Sequence, residues 1–415
     1  MNQVVDVAII GASLAGSALA QLLGQAKISV ALIDKETFPR NKACGEGLSV
    51  TGLAALKRMG LLGNEELSAA LLSQSSSNFA GYRIHNNGRA VNLSNPGSSG
   101  RGIPRVVLDQ HVLRVAALNE SVQLFEGQAV NAICSELATE RVYALKLSGG
   151  ETVKARFVVL ACGGTSRLFS DLKIQSLVRK PSRFGVSATW KGKLAEPLDR
   201  IEIFLERGFE ALITPTGAGL VNVSVLIHSD HSSGNKFNQQ QVDSVMSSAL
   251  KEINFIGTRI SKPEGRVVRS GRRFAPKGSL VALIGDAAEQ LDPVGGMGMT
   301  QALMSAELLA KQLVPCFRQA RSAKQLQLAL VRYNREREKM ARPLRAFTCA
   351  VYTMLTKFPA PFMRMPRLSA LIGPILTKGV HRISPKMIGV SAVQKSQSWT
   401  VSSTHFVLSV VGAFL

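Results

Sequence analysis

The sequence has few cysteines, and their arrangement excludes a disulfide framework and a zinc site. The five cysteines are scattered, odd in number and form no CxxC pair. Such a pattern is typical of a protein from a reducing compartment, so we expect the protein to be cytoplasmic. The six histidines offer one close pair, His228 and His231, in a polar stretch. We therefore predict no metal site.

Long apolar runs are also missing. The nearest approach is FVLSVVGAFL at the C-terminus, which is shorter than the roughly 18 residues that a spanning helix needs, so we expect no transmembrane helix. The N-terminal MNQVVDVAIIGASLAG has no basic residue before its apolar stretch. We interpret it as a buried strand and not as a signal peptide. The sequence also contains neither a Walker phosphate loop nor a GxSxG nucleophile elbow.

Acidic residues are absent from the last fifth of the chain. The protein has 50 basic and 28 acidic residues, a formal charge of +22, and Lys339 to Leu415 contain ten basic residues and no acidic one. General basicity also has a simpler explanation in solubility or in the character of the whole proteome. The acid-free segment predicts docking on an anionic membrane surface, at the inner face of the membrane, or on an acidic carrier protein. No nucleic-acid module accompanies the charge, so we expect no nucleic acid partner.

An amphipathic pattern begins this basic segment. Apolar residues recur there at helical spacing, with basic residues beside them, which favours an interfacial helix: Phe347, Val351, Met354, Leu355 and Phe358, flanked by Arg342, Arg345 and Lys357. The segment FPAPFMRMPRL follows and is broken by prolines. The alternative is a helical lid whose apolar face covers the mouth of an active site.

The chain opens with the pattern of strand, glycine turn, helix and strand. A β-branched run from Val4 to Ile10 precedes GASLAG, a helical pattern spans Ser13 to Leu23, and a second strand from Ile28 to Ile33 ends at Asp34. This is the pattern of a dinucleotide-binding βαβ unit.

Each part of that unit has a physical role. Gly11 permits the tight turn, Gly16 lets the helix pack against the strand, and the free N–H groups at the helix start receive a pyrophosphate. Asp34 is expected to bind the adenosine ribose. Ser13 stands where the usual motif has its middle glycine.

The remaining pattern predicts an interrupted nucleotide domain. Residues 77–102 are expected to be a loop or exposed hairpin, 107–118 and 299–313 are helical, and short alternating segments from Phe184 to Ile227 predict an antiparallel sheet. The predicted fold class is α/β, with a parallel-sheet cofactor domain, an inserted mixed or antiparallel sheet domain and a helical C-terminal segment. The predicted boundaries are 1–76, 103–170 and 266–340 for the cofactor domain, 77–102 and 171–265 for the substrate domain, and 341–415 for the basic helical segment.

A second motif, VALIGDAAEQLDPVGGMGMTQALMSAELLA from Val281 to Ala310, identifies the dinucleotide. It resembles the flavoprotein family that joins para-hydroxybenzoate-type hydroxylases to geranylgeranyl reductases. The resemblance implies FAD as cofactor, with Gly285 and Asp286 at the ribityl and phosphate part, and Pro293, Gly295 and Gly296 along the flavin ring. Glycines let main-chain N–H groups approach a flat ring, and the start of the following helix favours the negative charge of a reduced flavin.

Three shorter matches lie between the two motifs. IPRVVLDQHVLRVAA places Arg105 where the family has an arginine near the flavin. PRNKACGEGLS resembles a segment of the reductase branch that approaches cofactor and substrate, and it contains Cys44 and Gly45. In RFVVLACGGTSRL, Cys162 replaces the family's Asp. We interpret Cys44 as a structural cysteine, because no neighbouring base marks it as activated.

These matches predict one cofactor site, and they leave the catalytic residues unknown. The predicted FAD-binding residues are Gly11, Ser13, Leu14, Ala15, Gly16, Asp34, Lys35, Arg105, Gly285, Asp286, Pro293, Gly295, Gly296, Met297 and Gly298. Cys44 and Gly45 are predicted to approach the substrate. NADPH or NADH is the expected electron donor. The oligomeric state is not predicted.

The resemblance implies two functions, and the departures from the family pattern at Ser13 and Cys162 leave a third open. The first is an FAD-dependent monooxygenase that hydroxylates an apolar aromatic, quinone-like or polyketide-like substrate, with the cofactor carrying the chemistry. The second is a reductase that saturates carbon–carbon double bonds of prenyl or polyketide chains. The third, of another class, is a binding subunit of flavoprotein type without turnover.

Overall fold

The computed structural model describes residues 4–62, 76–94, 99–136, 142–178, 183–206, 208–217, 219–228, 239–319 and 322–357. His231, His381 and His405 lie outside these ranges. So do Phe358 and the proline-rich FPAPFMRMPRL segment, and the side chains of Met354, Leu355 and Lys357 are not described either.

All strands of the described residues lie within the first 290 residues. The strands of the first part of the chain are β1 (Val4–Ile10), β2 (Val30–Ile33), β3 (Gly47–Leu48), β4 (Ser77–Phe79), β5 (Gly81–Asn86), β6 (Arg89–Ser94), β7 (Gly100–Gly102), β8 (Val122–Phe125), β9 (Val130–Glu136), β10 (Val142–Leu147) and β11 (Thr152–Leu160). Those of the second part are β12 (Gln175–Val178), β13 (Arg183–Lys193), β14 (Ile201–Glu206), β15 (Phe209–Gly217), β16 (Leu220–His228), β17 (Ile256–Arg259), β18 (Glu264–Val268), β19 (Gly271–Phe274), β20 (Val281–Leu283) and β21 (Glu289–Gln290).

Helices lie between the strands and form the last part of the described residues, up to Lys357. They are α1 (Leu14–Gln25), α2 (Val50–Arg58), α3 (Arg105–Ala117), α4 (Leu168–Asp171), α5 (Gln239–Glu252), α6 (Gly298–Arg318) and α7 (Ala323–Lys357). Two short 3-10 turns, Gly285–Ala287 and Pro293–Gly295, lie between β20 and α6.

The first sheet is the nucleotide-binding layer. Its seven strands run in the order β8-β2-β1-β11-β10-β9, with β20 beside β11. Strands β8, β2, β1, β11 and β20 are parallel to one another. Strand β10 pairs antiparallel with both β11 and β9. β2 and β20 are entirely apolar and buried, and so are the last four residues of β1 and of β11, because helices cover this part of the sheet. The main apolar core therefore lies here, with α1 packed between the sheet and α3 and α6.

The second large sheet forms a separate layer. Its eight strands run in the order β17-β13-β16-β15-β14-β5-β6, with β18 beside β13. All described pairs are antiparallel except β5 with β14. One face packs on α5 through Val242 and Met246. The other face lies towards the nucleotide-binding layer, and the predicted α/β fold class is confirmed.

Two small three-stranded sheets join these layers. One consists of β3, β7 and β4, and the other of β12, β19 and β21. The 77–102 segment, for which the sequence predicts a loop or hairpin, thus contributes four strands, and β5 with β6 is a hairpin that extends the large sheet. Its Ser, Asn and Gly content marks the turns, whereas the alternation of Ile84 and Val91 with polar residues marks the buried side.

The helix α7 packs against the large sheet and against the loop before α6. Val351 and Tyr352 near its C-terminal end pack against an apolar cluster that includes Ile84, Ile201 and Val294. Arg345, counted from the sequence among the outward charges, contacts Glu289 at 2.7 Å and also pairs with Glu338. The described part of the basic segment is therefore attached to the body of the protein.

No helix in the described ranges has the length and apolar character needed to cross a membrane.

Candidate functional site

The turn between β1 and α1 admits no side chain at its two glycines. Gly11 has a φ of +108°, and a Cβ added to it would lie 2.5 Å from the carbonyl oxygen of Ala161. A Cβ on Gly16 would lie 1.8 Å from the carbonyl oxygen of Gly11. In both cases the clash would be with a backbone atom, which cannot move away by a change of side-chain rotamer. The start of α1 therefore rests directly on the end of β1.

The N-terminus of α1 is left open by its capping residue. Ser13 is the N-cap, but its side chain makes no capping hydrogen bond. Its hydroxyl instead donates to Asp109 at 2.8 Å and accepts from the guanidinium of Arg105 at 2.9 Å. The first N–H groups of the helix are not taken up by Ser13, which is what an anionic group such as a pyrophosphate requires.

Asp34 and Lys35 follow β2 but differ in position. Asp34 is buried, and its carboxylate accepts hydrogen bonds from the N–H of Ala12 at 2.6 Å and of Glu36 at 3.0 Å. The bond to Ala12 fixes the glycine turn to the end of β2. Lys35 is largely exposed and lies 3.4 Å from the carboxylate of Glu36.

A cavity of about 240 Å³ lies where the nucleotide-binding layer meets the large sheet. The predicted site residues that line it come from four separate parts of the sequence: Ser13, Leu14, Ala15, Cys44, Gly45, Arg105, Gly285, Asp286, Pro293, Gly296 and Gly298. The other predicted residues, Gly11, Gly16, Asp34, Lys35, Gly295 and Met297, are not part of this lining. Gly295 instead faces α7, since a Cβ on it would lie 2.6 Å from the hydroxyl of Thr348.

Arg105 is buried at the centre of this arrangement. Its guanidinium donates to both carboxylate oxygens of Asp109, each at 2.8 Å. Burial alone would lower the pKa of Arg105, but the contributions of Asp109 and Cys44 together outweigh it, so the net effect is a raised pKa. The pair ties α3 to the glycine turn through Ser13.

Asp286 lies in the 3-10 turn after β20, beside the start of α1. Its carboxylate is 2.7 Å from the guanidinium of Arg266 on β18. Burial acts to raise the pKa of Asp286, but Arg266 and then Lys42 outweigh it, so the net effect is a lowered pKa. Asp286 is therefore a carboxylate. Lys42, in turn, has its pKa lowered to about 8 by burial and by the charge of Arg105.

The loop before α6 is held by a buried ion-pair network. Asp292 caps the 3-10 turn Pro293–Gly295 by accepting from the N–H of Val294 at 3.0 Å. Arg183 on β13 is fully buried, contacts Asp292, and lies 2.9 Å from Glu210. Its guanidinium also stacks over the ring of Tyr352 on α7, 4.8 Å from the ring centre. The loop is thus fixed by the large sheet and by α7.

The CGEG segment crosses the cavity between the two layers. The N–H of Cys44 donates to the hydroxyl of Ser187 on β13 at 3.1 Å, and the hydroxyl of Ser224 on β16 donates to the carbonyl of Cys44 at 3.3 Å. Glu46 is 7 % exposed and has a φ of +57°. Burial raises the pKa of Glu46 to about 7.

Several cavity residues were not identified by the sequence analysis. Lys42 and Glu46 lie in the quoted PRNKACGEGLS segment, and the signal for Glu46 was an acidic residue between two glycines. Arg266 and Tyr82 had no sequence signal, because only the folded sheet brings them to the cavity. Cys162 lies next to the cavity residues Ala161 and Gly163, and burial raises the pKa of its thiol. In the described residues, no group of three possible metal ligands occurs.

The residues present fit a dinucleotide cofactor. The glycine turn excludes side chains where a pyrophosphate would approach, and the N-termini of α1 and α6 both lack a side-chain cap. Both helix starts contribute lining residues to the same cavity, Leu14 and Gly298. Helix N-termini carry partial positive charge, which matches a pyrophosphate at one end and an electron-rich ring at the other.

Comparison with known proteins gives a family and its relatives. The model of the family described as FAD binding domain matches residues 4–348. Menaquinone reductase of Mycobacterium tuberculosis is 28 % identical over 324 residues, covering 74 % of this chain and 76 % of that protein. Ubiquinone hydroxylase UbiL of Rhodospirillum rubrum is 26 % identical over 333 residues, covering 75 % and 73 %.

A solved structure shows the same fold. PqsL, a probable FAD-dependent monooxygenase from Pseudomonas aeruginosa, superposes with a TM-score of 0.69 over 89 % of this chain and 100 % of that chain, at 20 % sequence identity.

Proposed function

The chain belongs to the FAD binding domain family and is an FAD-dependent oxidoreductase, and we propose that it reduces a carbon–carbon double bond in an apolar prenyl or quinone-type substrate. The proposal has two parts, the chemical class of the substrate and the type of reaction.

The class of substrate is supported by the apolar residues that line the cavity. They form a wall of aliphatic side chains from the large sheet and from the loop before α6: Ile201, Ile203, Leu212, Leu226, Val268 and Val294. A wall of this kind binds apolar groups by excluding water from both surfaces. The two quoted relatives are named for quinones, which agrees with an apolar substrate.

The reaction is supported above all by the position of the CGEG segment. This segment resembles the reductase branch in sequence. Cys44 and Gly45 line the same cavity as the start of α1 and the apolar wall, and Cys44 is hydrogen-bonded to Ser187 and Ser224 of the large sheet. Substrate on that wall and cofactor on the turn would both contact it. The relative named menaquinone reductase agrees with this choice.

The residues of this chain would bind FAD and exclude water. The N-terminus of α1 would bind the pyrophosphate, and Asp286 would bind the ribityl chain after exchange of its pairing with Arg266. The start of α6, beside Pro293 and Gly296, would lie along the ring and stabilise negative charge on it. When bound, FAD supplies the hydride, with NADPH or NADH as the proposed donor.

Hydroxylation is the second candidate. A monooxygenase needs a dry, apolar substrate site, which the same wall offers, and the relative named ubiquinone hydroxylase favours it.

Product analysis under two atmospheres separates the candidates. The purified protein is supplied with FAD, NADPH or NADH, and a naphthoquinone bearing a short unsaturated prenyl chain. We expect a product that forms without oxygen and stays heavier by two hydrogen atoms after its quinone ring has been reoxidised in air, which places the added hydrogens on the prenyl chain. A product that gains one oxygen atom, and forms only in air, would establish hydroxylation instead.

A further inference from the structure

Two carboxyl groups line the cavity in the described structure, and they differ in state. Asp286 pairs with Arg266 and remains a carboxylate. Glu46 contacts the N–H of Arg105 at 2.8 Å through Oε1, while its other oxygen, Oε2, is buried without a hydrogen-bond partner. The charged part of Arg105 is engaged by Asp109. Glu46 is therefore the carboxyl group of this cavity that has no ion-pair partner among the described residues.

The backbone holds Glu46 in an unusual position. Its φ of +57° lies in the left-handed region that favours glycine, although glycines stand on either side. Three hydrogen bonds fix it there: its carbonyl accepts from Ile103 at 2.9 Å, its N–H contacts the sulfur of Cys44 at 3.3 Å, and Oε1 accepts from Arg105. Strained residues of this kind are concentrated at functional sites.

We propose that Glu46 is the acid that protonates the substrate carbon during reduction of the double bond. This rests on the proposed function. One carbon of the C=C bond receives a hydride from the reduced cofactor. The π-electron pair forms a new C–H bond at the other carbon with the proton of Glu46, leaving a carboxylate. A proton from solvent restores the acid, and the nicotinamide donor restores the reduced cofactor.

The surroundings of Glu46 suit this role. Burial raises its pKa to about 7, against the lowering by the backbone N–H and the charge of Arg105. Asp109 on α3 acts in the raising direction. The other titratable or charged residues that line the same cavity are Lys42, Cys44, Tyr82, Arg266 and Arg269, besides Asp286. An acid with a pKa near the working pH is the most effective proton donor.

Two other cavity residues carry protons and are competing candidates. Burial raises the pKa of the Tyr82 phenol above its ordinary value of 10.0, which makes it a weaker acid. Lys42 is the stronger competitor, because burial and then the charge of Arg105 lower its pKa to about 8, against the charge of Asp286. The Tyr82→Phe and Lys42→Met variants therefore serve as comparisons for Glu46.

The test measures two half-reactions separately, namely reduction of the flavin by NADPH or NADH and its reoxidation by the substrate. Both are measured for the wild type, Glu46→Gln, Glu46→Asp and the two comparison variants. Glu46→Gln is expected to bind FAD and accept hydride from NADPH or NADH as the wild type does. Reoxidation of its flavin by the unsaturated prenyl naphthoquinone, without oxygen, should slow by roughly 10²- to 10⁴-fold, the usual contribution of a general acid. Glu46→Asp should recover part of the rate.

The pH dependence gives a second test. Wild-type reoxidation should fall above about pH 7, as the acid loses its proton, and the Glu46→Gln residual rate should lack this step. Infrared difference spectra between pH 6 and pH 8 should show a protonated carboxyl band in the wild type that Glu46→Gln lacks. This readout requires no turnover.

The outcomes distinguish the two proposals. If the wild type reduces the prenyl chain and Glu46→Gln does so at the same rate, or if Tyr82→Phe or Lys42→Met alone abolishes the pH step, Glu46 is not the acid. If the wild type leaves the prenyl chain unreduced under every condition, the proposed function fails, and the role of Glu46 fails with it.

Discussion

Gly11 and Glu46 both have a positive φ, but for different physical reasons. Gly11 has no room for a side chain, because the backbone of Ala161 lies against it. Glu46 carries a long side chain in a conformation that glycine adopts more readily, and its hydrogen bonds hold it there. The first is a packing requirement that the motif predicts. The second is visible only when the chain is folded.

At the first of these positions, Gly11→Ala should remove most of the FAD binding. The new methyl group would meet the carbonyl of Ala161 at 2.5 Å, so we expect FAD affinity to fall by about tenfold or more, which corresponds to about 1.4 kcal/mol. Titration of the apoprotein with FAD measures this. Gly150→Ala is the matched control, because Gly150 has a φ of +88° and no atom within 4 Å of an added Cβ. Equal losses in both variants would show that backbone strain alone is responsible.

Glu46 should make stability fall between about pH 4.5 and pH 7. Its pKa in the folded state, about 7, exceeds the ordinary value of 4.5, so the folded protein binds more protons in this window and loses stability as pH rises. The full difference amounts to about 3 kcal/mol. The melting temperature of Glu46→Gln relative to wild type should therefore rise across this window and then level off. With the exposed Glu120→Gln as control, a difference that does not change with pH would contradict the raised pKa.

Some individual residues of the site are predicted by the sequence, and others are not. Gly11, Gly16 and Asp34 belong to a spaced motif, and the structure places them at the turn between β1 and α1. Lys35, adjacent to Asp34 in sequence, is exposed instead, because successive residues at the end of a strand point in opposite directions. Arg266 meets Asp286 through strand pairing across the large sheet, for which a linear pattern carries no signal.

Among the elements, the loop before α6 depends on a side chain from another layer. Arg183 on β13 joins Glu210 and Asp292 in a buried network, and Asp292 caps the 3-10 turn that lines the cavity. The sequence predicts the glycine loop and the helix after it. It does not predict that β13 supplies the anchor, because 109 residues separate Arg183 from Asp292.

Arg183→Leu should destabilise the protein strongly and disturb this loop. The substitution leaves two carboxylates without their shared cation, and breaking a buried pair in this way costs about 3–5 kcal/mol. We expect a lower melting temperature and weaker FAD binding. The control is Arg200→Leu, which removes a pair with the largely exposed carboxylate of Asp199; a pair open to solvent in this way is worth about 0–1 kcal/mol. Similar effects of the two substitutions would contradict the anchoring role of Arg183.

Strand predictions were most accurate where the pattern was long. The opening βαβ unit and the alternating segments from Phe184 to Ile227 are formed as expected. The 77–102 segment is richer in strands than its composition indicates, since its short strands are stabilised by pairing with β14 and β3 and not by their own sequence. Edge pairing of this kind depends on the whole sheet.

The charge of the whole molecule leads to a further prediction. We propose that the full-length protein binds anionic surfaces through its basic C-terminal segment, in which each basic residue near such a surface contributes about 1 kcal/mol. Because Arg345 contacts Glu289 and Glu338, the binding should depend on the other basic residues. The protein should sediment with anionic vesicles at low salt and be released as salt rises. Equal sedimentation with neutral vesicles would rule out the electrostatic mechanism.

The central claim, that this FAD-dependent oxidoreductase reduces a double bond of an apolar chain, is tested most directly by the flavin spectrum. The protein is reduced anaerobically, freed of excess donor, and mixed with one equivalent of the unsaturated prenyl naphthoquinone or of its analogue with a saturated chain. We predict that the absorbance of oxidised flavin returns with the unsaturated compound, accompanied by a saturated product, and not with the analogue. Equal recovery with both compounds would place the reaction at the ring, and recovery only after oxygen is admitted would contradict the claim.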